Sequence, residues 1–454
     1  MIQKLTSRMI LHLVGNRNAK GLTFSHQLHY YKELKERQWL SLEENLQEQA
    51  RRLYDLVRFS ICHVPYYRDL GFSMEEFSPE NIFETIEKFP ILTKEIIRQE
   101  GERLFPDISL NDWTYMDTSG GTTGAPVKFR HSGRFFDMDQ GAKLLYDEWA
   151  GRKIGDRQIR LWGNERDIMS GKSDWKNKIY RWMRNETFLN TFVMTEEKIE
   201  QYIEEIKQKK PEMILAYVQS AEEIAKYLHN HHQKIEGITG VMTSTGALPN
   251  NLHDFISESF GRCPVLNRYG SREMGDMACS CDKNEGLHIN TLSCFLEIVD
   301  DDGNRCRQGE YGQVLTTLLM DYSMPMIRYS IGDVAAFEEK QCSCGRGLPM
   351  LKEVKGRVCD WFKSSDGRKV HGEYFTHLFY TETNIKQFQV IQEALDLIRV
   401  KLVINCSEWD KEAFQRQFTE NLYKVLGDIP VVFEYVEDIP VTASGKRAYT
   451  ISKI

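Results

Sequence analysis

The sequence predicts an α/β protein with a large N-terminal domain, built from mixed and parallel sheets with covering helices and a β-barrel-like part, and a small α+β C-terminal domain. Between about residues 190 and 245, helical patterns alternate with short apolar runs such as MILAYV, as in βαβ units. After about residue 290, short strand-like segments joined by Gly and Asp turns favour an antiparallel sheet or barrel. The last hundred residues show a separate pattern of strands around one helix.

The first hundred residues predict a helical shell. The segment SLEENLQEQARRLYDLVRF begins with Ser41 and Glu44 at the spacing of a capping box, and its apolar residues recur at helical spacing. The same spacing predicts a second capping box at Ser220 and Glu223.

The domain boundary is predicted near Asp360, which gives a large domain of residues 1–358 and a mobile lid domain of residues 359–454. Within the lid, periodicity predicts a helix from about Ser407 to Leu426. No internal repeat or low-complexity tract interrupts this organisation.

Composition excludes several partners. The 454 residues carry a net charge of −7, which gives no general attraction to nucleic acid or to an anionic membrane. The start, MIQKLTSRMILHLVGNRNAK, is interrupted by polar residues, so we interpret it as a short amphipathic helix and expect no integral membrane segment. The ten cysteines are unevenly spaced, which favours reduced thiols and a cytoplasmic location.

The loop TSGGTTGAPVK is rich in glycine and hydroxyl side chains. It supplies unhindered backbone N–H groups, hydroxyls and one lysine, which together suit a phosphate, but it lacks the Gly-Lys-Ser/Thr of the P-loop. The alternative is a mobile surface loop. The predicted phosphate-binding residues are Thr118, Ser119, Gly120, Gly121, Thr122, Thr123, Gly124 and Lys128.

Four later motifs suit a nucleotide site only when they are taken together. RYGSREMG places Tyr269, Gly270, Ser271, Arg272 and Glu273 at a strand end, where ligands of α/β sheets bind. MIRYSIGDVA supplies Asp333 for ribose hydroxyls, KGRVCDWF supplies Arg357, and PVTASGKRAYT supplies Lys446. Separately, these motifs are equally consistent with a buried Tyr, an ordinary Gly–Asp turn and solvated charges.

In this order, the motifs resemble those of the adenylate-forming superfamily, in the branch of phenylacetate–CoA ligases and capsular polysaccharide biosynthesis proteins. The resemblance extends from VPYYRDL and FPILTKEIIR to Lys446. It implies activation of a small-molecule carboxylic acid by ATP and Mg²⁺, release of pyrophosphate, and transfer of the acyl group to an acceptor, foremost the thiol of CoA. Relatives of this kind often form homodimers, but the sequence does not determine the oligomeric state.

The resemblance assigns roles to these residues. It implies that Lys446 bridges the carboxylate and the α-phosphate, that Glu273 binds magnesium, and that Asp333 and Arg357 hold the nucleotide. Rotation about Asp360 would then withdraw Lys446 and admit the acceptor.

The sequence departs from the common pattern in two places. Arg272 replaces a hydroxyl residue that contacts the AMP phosphate, and its guanidinium is expected to bind that phosphate in a catalytic role. Cys359 precedes Asp360 where two acidic residues are usual. Residues 161–190, rich in Trp, Arg and Asn, have no recognisable counterpart and are candidates for a substrate pocket or a helical surface.

Two cysteine clusters predict a structural zinc site. CSCDKNEGLH and CSCG supply four thiols and one imidazole, the soft ligands that zinc takes tetrahedrally. A Cys-x6-His followed by Cys-x-Cys in similar relatives favours Cys281, His288, Cys342 and Cys344 over Cys279. Reduced, packed thiols are the alternative.

Two rival functions remain at this stage. One is an amide-forming ligase that joins an acid to an amino sugar or amino acid in surface polysaccharide biosynthesis. The other is a non-catalytic nucleotide-binding homologue that has kept the fold.

Overall fold

The fold was analysed in a computed structural model. It describes residues 26–118, 127–163, 181–182, 184–355, 361–379, 382, 384–404, 409–439 and 449–454.

One eleven-stranded sheet organises the larger part of the chain, in the order β11-β12-β13-β14-β10-β9-β8-β7-β6-β3-β4. Neighbouring strands are parallel from β4 through β3, β6 and β7 to β8. From β8 through β9, β10 and β14 to β13 they are antiparallel. Its strands are β3 (Gln158–Trp162), β4 (Glu186–Asn190), β6 (Met213–Tyr217), β7 (Gly240–Ser244), β8 (Val265–Ser271), β9 (Gly275–Ser280), β10 (Leu287–Ile289), β11 (Cys294–Val299), β12 (Gly312–Leu318), β13 (Tyr329–Phe337) and β14 (Met350–Lys355). The predicted α/β class with a mixed sheet is therefore confirmed.

The predicted barrel-like part needs a correction. Among the described residues, the strands after residue 290 do not close on themselves, because β10 pairs with both β14 and β9 and so joins them to the parallel half. This part of the chain is an open, antiparallel continuation of the same sheet.

Helices cover both faces of the sheet and form the N-terminal shell. They are α1 (Gln27–Arg37), α2 (Leu42–His63), α3 (Pro65–Arg68), α4 (Ile82–Thr85), α5 (Lys94–Glu100), α6 (Gly133–Trp149), α7 (Glu196–Lys209), α8 (Val218–Asn230), α9 (Asn250–Ser259), α10 (Gly372–His377) and α11 (Lys411–Leu426). The capping box of Ser41 and Glu44 is confirmed at the start of α2.

The second predicted capping box is wrong. Helix α8 begins at Val218, two residues before Ser220, because the chain enters it directly from the buried strand β6 at Tyr217. The Ser220 hydroxyl instead donates to Oγ1 of Thr191 at 2.8 Å within the core.

Smaller sheets complete the fold. A hairpin of β1 (Thr114–Thr118) and β2 (Lys128–Ser132) forms a separate two-stranded sheet. A three-stranded sheet contains, in order, β15 (Trp361–Lys363), β16 (Lys369–His371) and β5 (Val193–Met194). A four-stranded sheet in the order β19-β18-β17-β20 contains β17 (Ile385–Ala394), β18 (Leu397–Ile404), β19 (Val431–Tyr435) and β20 (Thr450–Ser452).

The C-terminal α+β pattern is present, with α11 packed against the four-stranded sheet. Helix α11 begins at Lys411 and not near Ser407, because the Asp410 side chain caps it by accepting from the Ala413 amide at 2.9 Å. The predicted boundary near Asp360 lies outside the described residues.

Candidate functional site: a corner of the large sheet and a cysteine–histidine cluster

Strands β8 and β9 form a tight corner that carries the motif RYGSREMG. Gly275 has a φ of +66°, and a Cβ at Gly270 would approach the carbonyl oxygen of Gly275 to 2.4 Å. The Ser271 hydroxyl accepts from the Met274 amide at 3.2 Å. Only glycine fits both positions, so the two glycines allow a corner that holds Tyr269 and Glu273 close together.

The ring of Tyr269 connects this corner to β13. Its hydroxyl donates to Oδ2 of Asp333 at 3.0 Å, although three strands separate β8 from β13 in the sheet order. The sheet must therefore curve at this point. Both side chains are half-buried, so the Asp333 carboxylate is held in place without losing access to solvent.

Glu273 lies beside a lysine that sequence reasoning missed. The side chains of Glu273 and Lys94 are both buried, and Oε1 of Glu273 is 4.0 Å from Nζ of Lys94. The Glu273 carboxylate accepts no hydrogen bond from the described residues. Opposite charges at this distance attract, so the pair adds a buried cation and a buried carboxylate to the corner.

Local structure explains the position of Lys94. It is the first residue of α5, whose N-cap Thr93 accepts from the Ile96 amide at 3.3 Å. Backbone hydrogen bonds of Leu92 with Arg328 and Ser330, both of 3.0 Å, fasten the preceding segment to β13. An ammonium in the first turn of a helix interacts unfavourably with the helix dipole. This position was the sequence signal that Lys94 has a role other than stabilising α5.

The glycine-rich loop connects the strands of the β1–β2 hairpin. Thr118 lies directly opposite Lys128, whose side chain is exposed. The predicted phosphate-binding residues Ser119, Gly120, Gly121, Thr122, Thr123 and Gly124 lie outside the described residues.

A buried network anchors the hairpin to the chain after β12. Nδ1 of His131 lies 2.8 Å from Oδ2 of Asp321, and both side chains are fully buried. The Arg130 guanidinium donates to the Ser323 carbonyl at 2.7 Å. The hairpin is thus held rigidly at its base, opposite the loop.

The remaining predicted nucleotide contacts divide into two groups. Arg272 is described and exposed at the corner. Arg357 and Lys446 lie outside the described residues, as do Cys359 and Asp360. Arg328, which the sequence places around a turn from Asp333, points away from it and donates to Oε2 of Glu297 at 3.2 Å.

The four predicted zinc ligands come together between β9, β10 and the segment before β14. Their ligand atoms all lie within 4.8 Å of one another. The Sγ atoms of Cys281 and Cys342 are 3.6 Å apart, and Sγ of Cys344 is 3.4 Å from Nε2 of His288. Two thiolates on one tetrahedral zinc lie about 3.8 Å apart, given Zn–S bonds of about 2.3 Å, so the spacing fits zinc.

The imidazole of His288 is in the form that a metal ligand needs. Burial lowers the pKa of His288 to about 4, so its imidazole is neutral at physiological pH, which is the form that binds a metal. Nδ1 of His288 has no hydrogen-bond partner within the described residues. The nearby Cys279 is not part of the cluster: its thiol is 3.8 Å from the sulfur of Met242 and contacts the Ser280 carbonyl.

Within the described residues, no helix has the length and apolar character needed to cross a membrane.

Comparisons with known proteins agree with these features. The protein-family model described as the CapK C-terminal domain matches residues 362–453 of this chain. Protein CapK of Staphylococcus aureus is 25% identical over 451 residues, covering 96% of each chain. A phenylacetate-coenzyme A ligase of Thermus thermophilus is 26% identical over 157 residues, covering 33% of this chain and 35% of that protein.

A solved structure of a 2-hydroxyisobutyryl-CoA ligase, bound to an acyl-AMP and CoA, superposes with a TM-score of 0.61. The match covers 96% of this chain and 94% of that one at 17% identity. The two proteins therefore share their fold over nearly their whole lengths.

Proposed function

The chain belongs to the CapK-like branch of the adenylate-forming superfamily, and from this premise we propose that it is an AMP-forming ligase that activates a carboxylic acid. The acid attacks the α-phosphate of ATP, an acyl-AMP forms and pyrophosphate leaves. The acyl group then passes to an acceptor, for which we propose the thiol of CoA.

One observation carries this proposal. The corner of β8 and β9 brings four polar side chains of distant origin together, with Tyr269 bonded to Asp333 and Lys94 beside Glu273. A carboxylate and a triphosphate repel each other, so their reaction needs fixed positive charge and a way to hold the nucleotide. The corner offers both.

The Tyr269–Asp333 pair forms the nucleoside side of this proposed site. A carboxylate can accept two hydrogen bonds from neighbouring ribose hydroxyls, and the phenol keeps the Asp333 side chain oriented. The ring of Tyr269 also offers a flat surface for the adenine.

Lys94 and Glu273 form the phosphate side. Glu273 is a buried carboxylate that accepts no hydrogen bond from the described residues, which suits a magnesium ion shared with phosphate oxygens. When bound, Mg²⁺ neutralises part of the phosphate charge. Lys94 would place its ammonium against the same oxygens, with Lys128 and the Ser119–Gly124 loop completing the contact.

The remaining groups in this proposal come from both predicted domains. Lys446 would bring the acid oxygen to the α-phosphate, Arg272 and Arg357 would contact the nucleotide, and rotation about Asp360 would admit CoA. The cysteine–histidine cluster would hold a structural zinc, because four protein ligands leave no open coordination position.

The test is to identify the products formed from ATP and an acid with CoA or an amine as acceptor. The proposal expects AMP, pyrophosphate and an acyl-CoA in equal amounts. An amide without a thioester would transfer the assignment to an amide-forming ligase. Release of ADP, or binding of ATP without pyrophosphate release, would contradict adenylation and favour a non-catalytic nucleotide-binding protein.

A further inference from the structure

A second group of charged side chains lies on the side of the corner away from β13. On the sheet face that packs against α6, Tyr217 is paired with Ser244, and Ser244 with Arg268, at the carboxyl ends of β6, β7 and β8. The centroid of the Trp162 ring, at the end of β3, is 4.1 Å from that of the Tyr217 ring, and the two ring planes are tilted by 37°. Ligands of parallel sheets bind at this edge.

Arg160 lies beside this group and differs from it because its guanidinium has no acceptor among the described residues. It lies on β3 opposite Leu215, two residues before Trp162, and its guanidinium carbon is 4.7 Å from the Trp162 ring centroid. Its Nε is buried, and within the described residues its guanidinium makes neither a hydrogen bond nor an ion pair. A buried Nε–H without an acceptor is costly, and because the rest of the guanidinium is not fully buried, a ligand can reach it and supply the acceptor.

Three cations on or close to the sheet face that packs against α6 are paired with carboxylates. Nη1 of Arg268 is 3.2 Å from Oδ2 of Asp276, and Nη1 of Arg152 is 2.7 Å from Oδ2 of Asp147. The Lys143 ammonium pairs with Asp139.

The positive charge of Arg160 therefore has no carboxylate of the described residues paired with it. Burial lowers the pKa of Arg160, Glu186 opposes this shift without forming an ion pair, and Arg268 reinforces it. The region thus carries one positive charge that no described carboxylate neutralises at contact distance.

The position of Arg160 separates it from the nucleotide. The proposed ribose contact, Asp333, lies on β13, to one side of the corner at β8, whereas β3 lies three strands away on the other side. A group bound at Arg160 would thus belong to the acid that reacts at the corner, and not to ATP. The ring of Trp162, at the end of β3, contacts both the Arg160 guanidinium and the ring of Tyr217.

We propose that Arg160 determines substrate specificity by binding a second anionic group on the acid, so that the substrates are dicarboxylic acids or acids of the same charge pattern. This inference rests on the proposed function, because it assumes that the corner activates one carboxylate. The other carboxylate then forms a charge-assisted, bidentate pair with the guanidinium.

The test compares each dicarboxylic acid with its own monomethyl ester, for example terephthalate, glutarate and adipate, in acid-dependent ATP–pyrophosphate exchange. The wild type should prefer one diacid over its ester by about 10- to 100-fold in kcat/KM. Arg160→Gln should abolish this preference, so that diacid and ester support exchange equally. Arg160→Lys should restore part of it, and Arg58→Gln, at an exposed position of α2, is the matched control.

A binding measurement keeps this inference separate from the proposed function. Calorimetric titration of diacid and ester into the wild type and Arg160→Gln, without ATP, needs no catalysis, and each variant's melting curve checks its folding. Diacid binding that depends on Arg160 without any exchange would sustain this inference and overturn adenylation. Exchange with equal preference for diacids and esters, or a preference that persists in folded Arg160→Gln, would overturn the inference and leave adenylation standing.

Discussion

The cysteine–histidine cluster and the corner at Glu273 are both built from residues far apart in the sequence, yet they differ in the chemistry of their side chains. The cluster brings four soft donors within 4.8 Å of one another inside the described part of the chain. The corner pairs Tyr269 with Asp333 and Lys94 with Glu273, a phenol and an ammonium beside two carboxylates.

The difference follows from what each site has to do. A structural metal needs a closed set of ligands in one rigid place, because every ligand that leaves costs binding energy. A two-step ligase needs a site that changes, since one lysine must serve adenylation and then make room for the acceptor. Stability should therefore depend on the cluster, and chemistry on the corner.

The largest effect is expected from Lys446→Ala. Removing a cation that bridges the acid and the α-phosphate should lower acid-dependent ATP–pyrophosphate exchange about 10²- to 10³-fold. Because the proposed role of Lys446 is chemical and not structural, the melting temperature should stay within about 1 °C of the wild-type value, as measured by scanning calorimetry. Exchange at the wild-type rate would remove Lys446 from the mechanism.

In contrast to Lys446→Ala, Cys342→Ser is expected to lower the stability of the protein and to retain its exchange activity. Loss of one of four ligands should release zinc, measured by elemental analysis, and lower the melting temperature by about 5 °C or more, because zinc binding contributes to folding. Exchange at a temperature where the variant is folded should be retained. A protein that contains no zinc when purified, with an unchanged melting temperature in the variant, would favour packed thiols.

An intermediate effect is expected from Lys94→Met, which keeps the length of the side chain and removes its charge. Exchange should fall about 10- to 100-fold, mainly through a higher KM for ATP, because a fixed charge against the phosphates is lost. Lys88→Met, at an exposed position nearby, is the control. An unchanged KM would mean that Lys94 only balances the charge of Glu273.

A smaller effect is expected from Tyr269→Phe. The substitution removes the hydrogen bond of 3.0 Å to Asp333 and keeps the ring, so the KM for ATP should rise about 3- to 10-fold. Asp333→Asn should have a larger effect on the same constant, because it removes the charge that we assign to the ribose. If Tyr269→Phe raised the KM for ATP more than Asp333→Asn does, the Tyr269 hydroxyl and not the Asp333 carboxylate would make the contact with ATP.

The smallest effect is expected from Cys279→Ala. Cys279 is buried beside Met242 and outside the cluster, so zinc content and exchange should both remain at wild-type values. Loss of zinc in this variant would show that the ligand set has been misassigned.

Sequence reasoning succeeded where local pattern and packing agree. The amphipathic spacing after Ser41 predicted both α2 and its cap, and the apolar run of residues 213–217 predicted β6. It failed at Ser220, because the requirement to leave a buried strand directly into α8 outweighs the capping preference of a serine. The barrel prediction failed for a related reason, since short antiparallel segments do not reveal which strand they will pair with.

At the site, the sequence identified residues with recognisable motifs and missed those defined only by packing. Lys94 comes beside Glu273 through the pairing of Leu92 with β13, a long-range contact without a local signature. Arg160 becomes notable only because no carboxylate of the described residues forms an ion pair with it, a balance that spacing along the chain does not encode.

The most direct test of the central claim is acid-dependent exchange of labelled pyrophosphate into ATP. It should be measured over dicarboxylic, aryl, amino, fatty and uronic acids in zinc-replete wild-type protein and in Lys446→Ala and Asp333→Asn. We expect exchange with one class of acid, strongly reduced in both variants while their melting temperatures are unchanged. Failure of every acid to support exchange in folded protein, or exchange that persists in both variants, would contradict adenylation at this corner.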